Sequence, residues 1–469
     1  MDQTNHSISV SDIGINTMDA QQKIASTIGS IGLLVLIISL FNIYLGSPAL
    51  SLGVSLLFIV TGVIWYAYRS HKIIPAGIHN DGVMFSNAKS QGLIGWVSGI
   101  LITGFYVLLY WYPNLLGLNG EGNTGIVAVF DPLSQFIKGK NASQWFVYGT
   151  LYTVAILIFG VRFIWKYRHN KYQVVRTLSV MFFQLGFAFL IPELLEGMNT
   201  KLSENWFGTD MKNMWPLDYD FFHSWHISNL RNGGTLGLFM MVLGIAMIFI
   251  ISPILTYLYG KRWYCSWVCG CGGLAETAGD PYRHLSSKKL SAWKLERWMI
   301  HTVLVLVFIM TAAVLYGNIA GTDSIFGLSI YSYFSKPYGF LIGAAFSGVI
   351  GVGFYPLLGS RVWCRFGCPM AALLGLQQKF FSRFRITTNG GQCISCGNCS
   401  TYCEMGIDVR HYAQRGQDIV RASCVGCGIC SAVCPRGVLK LENGSYDVKS
   451  KAETVRVIHI SEDDIKLLA

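Results

Sequence analysis

Eight apolar runs, at about 24–45, 48–68, 92–112, 146–165, 174–194, 235–258, 298–316 and 338–358, constrain this 469-residue chain more than any other feature. Each can cross ~30 Å of hydrocarbon as a helix of roughly 20 residues. Backbone placed in lipid must satisfy its own hydrogen bonds, so runs of this length read as transmembrane helices. Charged residues are only 13% of the chain, well below the roughly one quarter of an ordinary soluble domain. The opening MDQTNHSISVSDIG has neither the basic start nor the short apolar core of a cleaved signal peptide. Residues 1–23 are therefore expected to form a polar tail.

The formal charge of +11 does not point to nucleic acid, because the basic residues gather in short runs between spans. Three connections carry most of them: Arg69, Lys72 and Lys89; Lys166, Arg168, Lys171 and Arg176; and Lys261, Arg262, Arg283, Lys288, Lys289, Lys294 and Arg297. The alternate connections hold Lys138 and Lys140, then Lys201, Lys212 and Arg231, then Lys336, with Glu204, Asp210, Asp218, Asp220 and Asp323 among them. Positively charged short loops stay inside, which puts both termini in the cytoplasm of a bacterial inner membrane. All thirteen cysteines, none before Cys265, then face the cytoplasm. A reducing compartment favours ligand or redox-active thiols over disulfides.

Beyond the eighth run, CISCGNCSTYC (Cys393–Cys403) and CVGCGICSAVC (Cys424–Cys434) repeat the spacing CxxCxxCxxxC. Three thiolates at two-residue gaps wrap three corners of a cuboidal iron–sulfur cluster, and the fourth cysteine ligates the other cluster. The spacing therefore assigns Cys393, Cys396, Cys399 and Cys434 to one 4Fe-4S cluster, and Cys424, Cys427, Cys430 and Cys403 to a second. Paired zinc sites are the competing reading, but they use CxxC pairs on longer loops. Gly397, Gly426 and Gly428 suit tight turns around a cluster. Glu404 stands where proline usually follows the fourth cysteine, which is expected to weaken the turn and lower the cluster potential.

A second repeat pairs GKRWYCSWVCG from Gly260 with GSRVWCRFGCP from Gly359, each after a span that ends inside. On a helix, positions i and i+4 share a face. Cys265 with Cys269, and Cys364 with Cys368, are then expected to form two dithiol claws that together offer four metal ligands. Buried small hydrophobes are the plainer reading of such cysteines. A third iron–sulfur cluster, a thiol relay and a copper(I) site are the functional readings. Cys271 adds a fifth thiol, and Gly270 replaces the proline that follows Cys368.

The motifs RWYCSWVCG and RVWCRFGCP, the spans before them and the two quartets resemble the membrane-bound polyferredoxins of the NosR, NapH and CcoG group, over roughly residues 235–440. The resemblance implies a quinol-linked or thiol-linked electron-transfer protein serving respiratory reductases or oxidase maturation. In the CcoG branch it implies reduction of copper(II) for delivery to an oxidase. The flavin-binding N-terminal domain of NosR and the immunoglobulin-like C-terminal domain of CcoG are not expected here, so the chain looks like the NapH type with extra spans or a separate branch.

The fold expected is a membrane all-α bundle of about eight transmembrane helices with a C-terminal α+β two-cluster ferredoxin-like domain. Its divisions are a tail (1–23), helices 1–5 with an outside loop (24–234), helices 6–8 with both CxxxC motifs (235–385), the ferredoxin domain (386–445) and a C-terminal tail (446–469). The expected function is electron transfer between the ferredoxin domain and a quinone or a partner subunit of a respiratory complex. Metal handling during assembly of an oxidase or reductase is the alternative, and a membrane-anchored redox sensor is a third reading. The outside loop Pro192–Gly234, with Trp206, Trp215, Asp218, Asp220, His223, Trp225 and His226, reads first as interfacial anchoring. Gln184, Glu193 and Glu196 are candidates for the same pocket. The turn Gly279–His284 is expected to pack on the ferredoxin. His301 is the only histidine within a predicted span, so no built-in haem b is expected, and no GxGxxG or GxxxxGK motif suggests a nucleotide cofactor.

Overall fold

The computed structural model describes residues 18–73, 93–120, 122–202, 221–260, 262–322, 324–443, 457–461 and 464–468. Trp206, Trp215, Asp218 and Asp220 of the outside loop lie beyond them. Among the described residues six helices are long and apolar enough to span a bilayer: α1 (Ala20–Phe41), α2 (Pro48–Ser70), α5 (Gln144–Lys166), α6 (Lys171–Met198), α7 (Gly234–Tyr259) and α9 (Leu290–Ala320). The two remaining predicted spans are also helical. One is the shorter α3 (Leu93–Trp111), and the other is α10 (Gly339–Ile350), which is wound as π-helix. Eight is thus an approximate count, made of six full spans, one short one and one irregular one.

Local sequence explains how these helices begin and bend. Asp19 accepts the Gln22 amide at 2.7 Å while the Gln22 side chain accepts the Asp19 amide at 3.0 Å, a capping box that starts α1 at Ala20. Three π-helical turns, Gly186–Leu190, Met247–Ile251 and Tyr331–Ser335, each end two residues before a proline: Pro192, Pro253 and Pro337. Proline has no N–H to give and its ring crowds the carbonyl four residues back, so the helix widens by one residue ahead of it. Between α3 and α5 lies a helix that the hydropathy pattern does not single out, α4 (Gly125–Lys138), whose first six residues are all buried.

Helix α5 is the most enclosed span, with 44% of its most apolar window buried against 18% for α7. The preceding helix α4 ends on Lys138, which is buried, pairs with Glu193 at 3.0 Å and Glu196 at 3.2 Å, and lies over the Phe146 ring at the start of α5. Roughly 30 Å along α5 by helical rise, Lys166 ends that helix and Tyr167 follows it, both against the ferredoxin domain. Glu193 and Glu196 therefore neutralise a lysine, whereas Gln184, once grouped with them, lies elsewhere. Of the two histidines in the loop expected outside, His226 is buried with Nδ1 on the Phe221 carbonyl at 3.0 Å, and His223 meets the Ser335 hydroxyl at 3.1 Å. Both serve contacts within the loop and its neighbours.

The C-terminal domain is closed by strands β1 (Phe384–Thr388) and β2 (Leu439–Asn443), paired antiparallel with Ile386 opposite Leu441. Strand β1 thus straddles the expected division at 385/386. Two one-turn helices, Asn398–Thr401 and Ile429–Ala432, follow Gly397 and Gly428 at φ +82° and +71°. Only glycine takes that conformation without steric cost, and it turns the chain back around each loop of cysteines.

Helices α1 and α2 cross at glycines. A Cβ at Gly62 would lie 2.5 Å from the Gly29 backbone nitrogen, and one at Gly32 2.7 Å from the Ser55 carbonyl oxygen. Small residues let membrane helices approach closely enough for backbone packing to hold them. Gly62→Leu is expected to force this pair apart and cost about 1–3 kcal/mol, measured as a lower midpoint for thermal loss of the monodisperse peak in detergent. Gly53→Leu, where a Cβ meets nothing within 4 Å, is the control expected to leave the midpoint in place.

Candidate metal and electron-transfer site

The ferredoxin domain encloses two cysteine-lined cavities. The first, about 360 Å³, is lined by Cys393, Cys396, Cys399 and Cys434, and the second, about 370 Å³, by Cys403, Cys424, Cys427 and Cys430. The chain crosses between its own halves to close each set. Apolar side chains, Val438 and Leu439 in the first and Val425, Ile429 and Ile419 in the second, line both. Four convergent sulfur donors in an apolar-walled cavity fit a cuboidal 4Fe-4S cluster. The two differ in exposure: Ile394 and Cys396 of the first loop are open to water, whereas Cys424 and Cys430 are buried.

The second loop faces the membrane helices. Tyr172 Oη donates to the Gly426 carbonyl at 2.9 Å and Gln173 Nε2 to the Cys427 carbonyl at 2.6 Å. Gln378 Nε2 donates to the carbonyls of Arg421 and Ala422 at 2.8 and 2.6 Å. Phe163 and Tyr167 of α5 pack on Tyr402, Ile429 and Val433. The basic hairpin between α5 and α6, legible in the sequence only as a topology signal, is thus a bracket for the ferredoxin domain.

The two CxxxC motifs repeat one backbone trace. Gly260 and Gly359 both take positive φ with extended ψ, a one-turn helix follows (Trp263–Trp267 and Val362–Phe366), and Cys269 and Cys368 N-cap the helices α8 (Gly270–Thr277) and α11 (Pro369–Phe381). The expectation of one continuous helix carrying i and i+4 thiols is corrected here. The helix breaks after Trp267 and after Phe366, and Cys269 and Cys368 sit in extended backbone at a corner. The corner aims each second thiol at amides of the next helix: Ala371 N–H donates to Cys368 Sγ at 3.4 Å.

All five thiols converge. Cys265, Cys269, Cys364 and Cys368 lie within mutual electrostatic reach, and Cys271 hydrogen-bonds to Cys269. That bond from the Cys271 thiol, with the Cys271 and Gly272 amides, holds Cys269 down to about 6 despite burial. Burial pushes Cys368 up to about 12. The membrane side of the site is built from residues that no linear motif announces. Gly270 leaves room for Gln184, whose Oε1 would sit 2.4 Å from a Cβ there, and for Tyr152 at 3.5 Å. Tyr148 lies between Tyr152 and Tyr106, tilted to the first and edge-on to the second, at ring separations of 5.3 and 5.9 Å.

A buried ionic network joins this site to the second cavity. Arg176 clamps Glu276 with both terminal nitrogens. Arg283 reaches Glu404 at 2.9 Å, Asp280 at 2.8 Å and Glu276 at 3.4 Å, and Arg361 reaches Glu404 at 2.9 Å and Glu276 at 3.7 Å. The contacts to Glu404 are close ion pairs out of line for hydrogen bonds. Glu276, Glu404 and Cys427 place ligand atoms within 4.8 Å of one another, but three guanidiniums interleave them and take the place of a metal. Burial alone would raise the Glu276 carboxyl, yet Arg176, Arg283 and Arg361 outweigh it and hold Glu276 below its ordinary value. The turn Gly279–His284 does pack on the ferredoxin domain, through Arg283. Glu404, read in the sequence as a weakened turn, is fully buried and ties that domain to both membrane-edge motifs.

Removing one partner of a buried ion pair costs about 3–5 kcal/mol because the other charge stays behind unpaired. Glu404→Gln is therefore expected to loosen the ferredoxin domain, seen as faster tryptic release of the segment 384–443 and a lower melting midpoint. Exposed Glu442→Gln is expected to change neither.

Comparison with known proteins agrees with this geometry. Residues 392–439 match a family described as a 4Fe-4S dicluster domain, and residues 235–292 and 340–387, which hold the two CxxxC motifs, match one described as a 4Fe-4S binding domain. An Escherichia coli (strain K12) protein named as an electron transport protein, YccM, is 29% identical over 195 residues, or 39% of this chain and 52% of that protein. The chain thus spans about half the length of the curated relative it matches. No solved structure matches it. The chain is a multi-pass membrane protein that carries 4Fe-4S binding domains.

Proposed function

We propose that this protein transfers electrons between a cytoplasmic redox partner and a membrane-side acceptor or donor, a quinone or a subunit of a respiratory complex. One observation carries the reading: an exposed cysteine-lined cavity, a more buried one and a five-thiol site centred on buried Cys265 and Cys364 lie on one scaffold, the last two joined by an ionic network. Cys393, Cys396, Cys399 and Cys434 would hold one 4Fe-4S cluster, and Cys403, Cys424, Cys427 and Cys430 a second. Such a cluster, when bound, supplies one-electron redox chemistry at potentials set by its surroundings. The exposed rim at Ile394 and Cys396 gives a partner access, while Tyr172, Gln173 and Gln378 hold the second loop against the membrane helices. Cys265, Cys269, Cys364 and Cys368 would hold a third metal–thiolate centre, most simply an iron–sulfur cluster, because the matched 4Fe-4S binding domain covers them. The distribution of Lys and Arg favours an inner membrane with the ferredoxin domain in the cytoplasm. The motifs around Cys265 and Cys364 support placement in the NosR, NapH and CcoG group.

The fifth thiol, Cys271, favours a second reading, in which the site handles a soft metal such as copper for an oxidase or reductase. Two experiments separate the readings. Anaerobically purified protein is expected to hold about four iron atoms per cluster, so Cys396→Ser and Cys427→Ser should each remove about that number. Cys265→Ser with Cys364→Ser should remove a similar share; full iron retention with lost copper reduction would move the site to the second reading. In the same preparation, dithionite-bleached absorbance should return when a soluble quinone analogue is added. Absorbance that stays bleached with every analogue would exclude the quinone and leave a protein partner.

A further inference from the structure

The repeat at the membrane edge is exchanged. Arg262 of the first motif donates to the Cys364 carbonyl of the second at 3.2 Å, and Arg361 of the second donates to the Cys265 carbonyl of the first at 3.4 Å. Each guanidinium is thus held on the backbone of the opposite motif, and Arg361 Nη1 also donates to Cys364 Sγ of its own motif at 3.8 Å. Glycines make room for both: a Cβ at Gly272 would lie 2.9 Å from Arg361 Nη1, and one at Gly375 3.1 Å from Arg262 Nη2.

The exchange is reciprocal in its carbonyl contacts but asymmetric in charge and in the backbone of the arginines, with Arg262 at φ +41° and Arg361 at φ −117°. Position 276, seven residues after Cys269, holds the glutamate that pairs with Arg361; position 375, seven after Cys368, is glycine. Position 404, next to the last cysteine of the first quartet, holds the second acid on Arg361; its equivalent in the other quartet is Pro435. Both acids thus fall to Arg361. Arg262 is 2% exposed, donates only to the carbonyls of Ala422 and Cys364, and has no carboxylate partner among the described residues. It also adopts the left-handed conformation, φ +41° and ψ +46°, which is costly for a side chain of this size.

A buried, unpaired cation in strained backbone is costly unless a negative charge answers it. The candidates beside it are sulfurs, because its Nη1 is bonded to the carbonyl of Cys364, one of the four thiol-bearing residues, at 3.2 Å. Five neutral thiols would leave its charge unmet, whereas a metal bound by four thiolates carries net negative charge and gains more on one-electron reduction.

We propose that Arg262 and Arg361 are the exchanged counter-ions of an anionic metal–thiolate centre at Cys265, Cys269, Cys364 and Cys368, and that Arg262, unclaimed by any carboxylate, selectively stabilises its reduced state. This rests on the reading of those four thiols as a metal centre. Arg262 is a positioning and charge-supplying residue; it takes no part in ligation.

The test uses the full-length protein in detergent, prepared anaerobically, with iron content, melting midpoint and the dithionite-reduced paramagnetic signal measured at fixed ambient potentials. The signal lost in Cys265→Ser with Cys364→Ser identifies the centre. In Arg262→Gln, with iron retained, the reduced-to-oxidised ratio of that signal should fall about tenfold at a given potential, equivalent to a midpoint ~59 mV lower for one electron. Arg262→Lys should keep most of the ratio. A purely structural arginine would lower the melting midpoint of both variants and leave the ratio unchanged, and that result, with iron retained, overturns the inference alone. Loss of the centre in Arg262→Gln but not in Arg262→Lys supports it; equal loss in both overturns it. Full iron and an unaltered signal in the double cysteine variant overturn the metal reading and the inference together.

Discussion

Glu404 is the residue on which the arrangement of this molecule turns. It emerges from the ferredoxin domain next to Cys403, is fully buried, and meets Arg283, in the segment after the first membrane-edge motif, and Arg361, within the second. Desolvating these charges is unfavourable, and their mutual attraction offsets it only when the geometry is held from several sides. Arg176 and Glu276 supply that hold from α6 and α8. The network orients the ferredoxin domain so that its second loop of cysteines faces the membrane and its first faces water.

Around that anchor, contacts sort by purpose. Apolar packing of Phe163 and Tyr167 on Tyr402 and Ile429 supplies non-directional attraction between domain and bundle. Carbonyl-directed hydrogen bonds from Tyr172, Gln173, Gln378 and Arg262 fix the register of the 421–427 loop. A loop that wraps a metal centre needs such fixing, because outer-shell groups orient the ligands and tune the centre. The bundle is therefore more than an anchor, and α5, α6, α8 and α11 together form the seat of the domain.

Duplication followed by asymmetry runs through both halves. The ferredoxin quartets match in spacing and in the positive φ of Gly397 and Gly428, and the CxxxC motifs match in that of Gly260 and Gly359. Charge breaks both symmetries in the same direction, with Glu404 against Pro435 and Glu276 against Gly375. Both acids reach Arg361, as they do Arg283, and among the described residues no acid reaches its twin Arg262. Cys271 against Met370 breaks the symmetry again, on the side lined by tyrosines.

Much of this was legible in sequence because the signals are local. Runs of about twenty apolar residues become helices wherever lipid denies the backbone other partners, and CxxCxxCxxxC states its own ligand geometry. Asp19 with Gln22, and prolines two residues after each π-turn, are similarly short-range. The continuous helix expected for Cys265 and Cys269 failed because Cys269 is a helix cap, and capping depends on where the next helix begins. Tyr152, Gln184, Glu276 and Glu404 lie some 250 positions apart at the extremes and carry no motif, since pairing in space leaves no spacing to read. By itself the sequence determined that the chain crosses a membrane and gathers sulfur donors in quartets and pairs. Only tertiary structure decided which quartet faces the bilayer and which arginine is left without an acid, because burial and the sum of nearby charges are properties of the assembled fold.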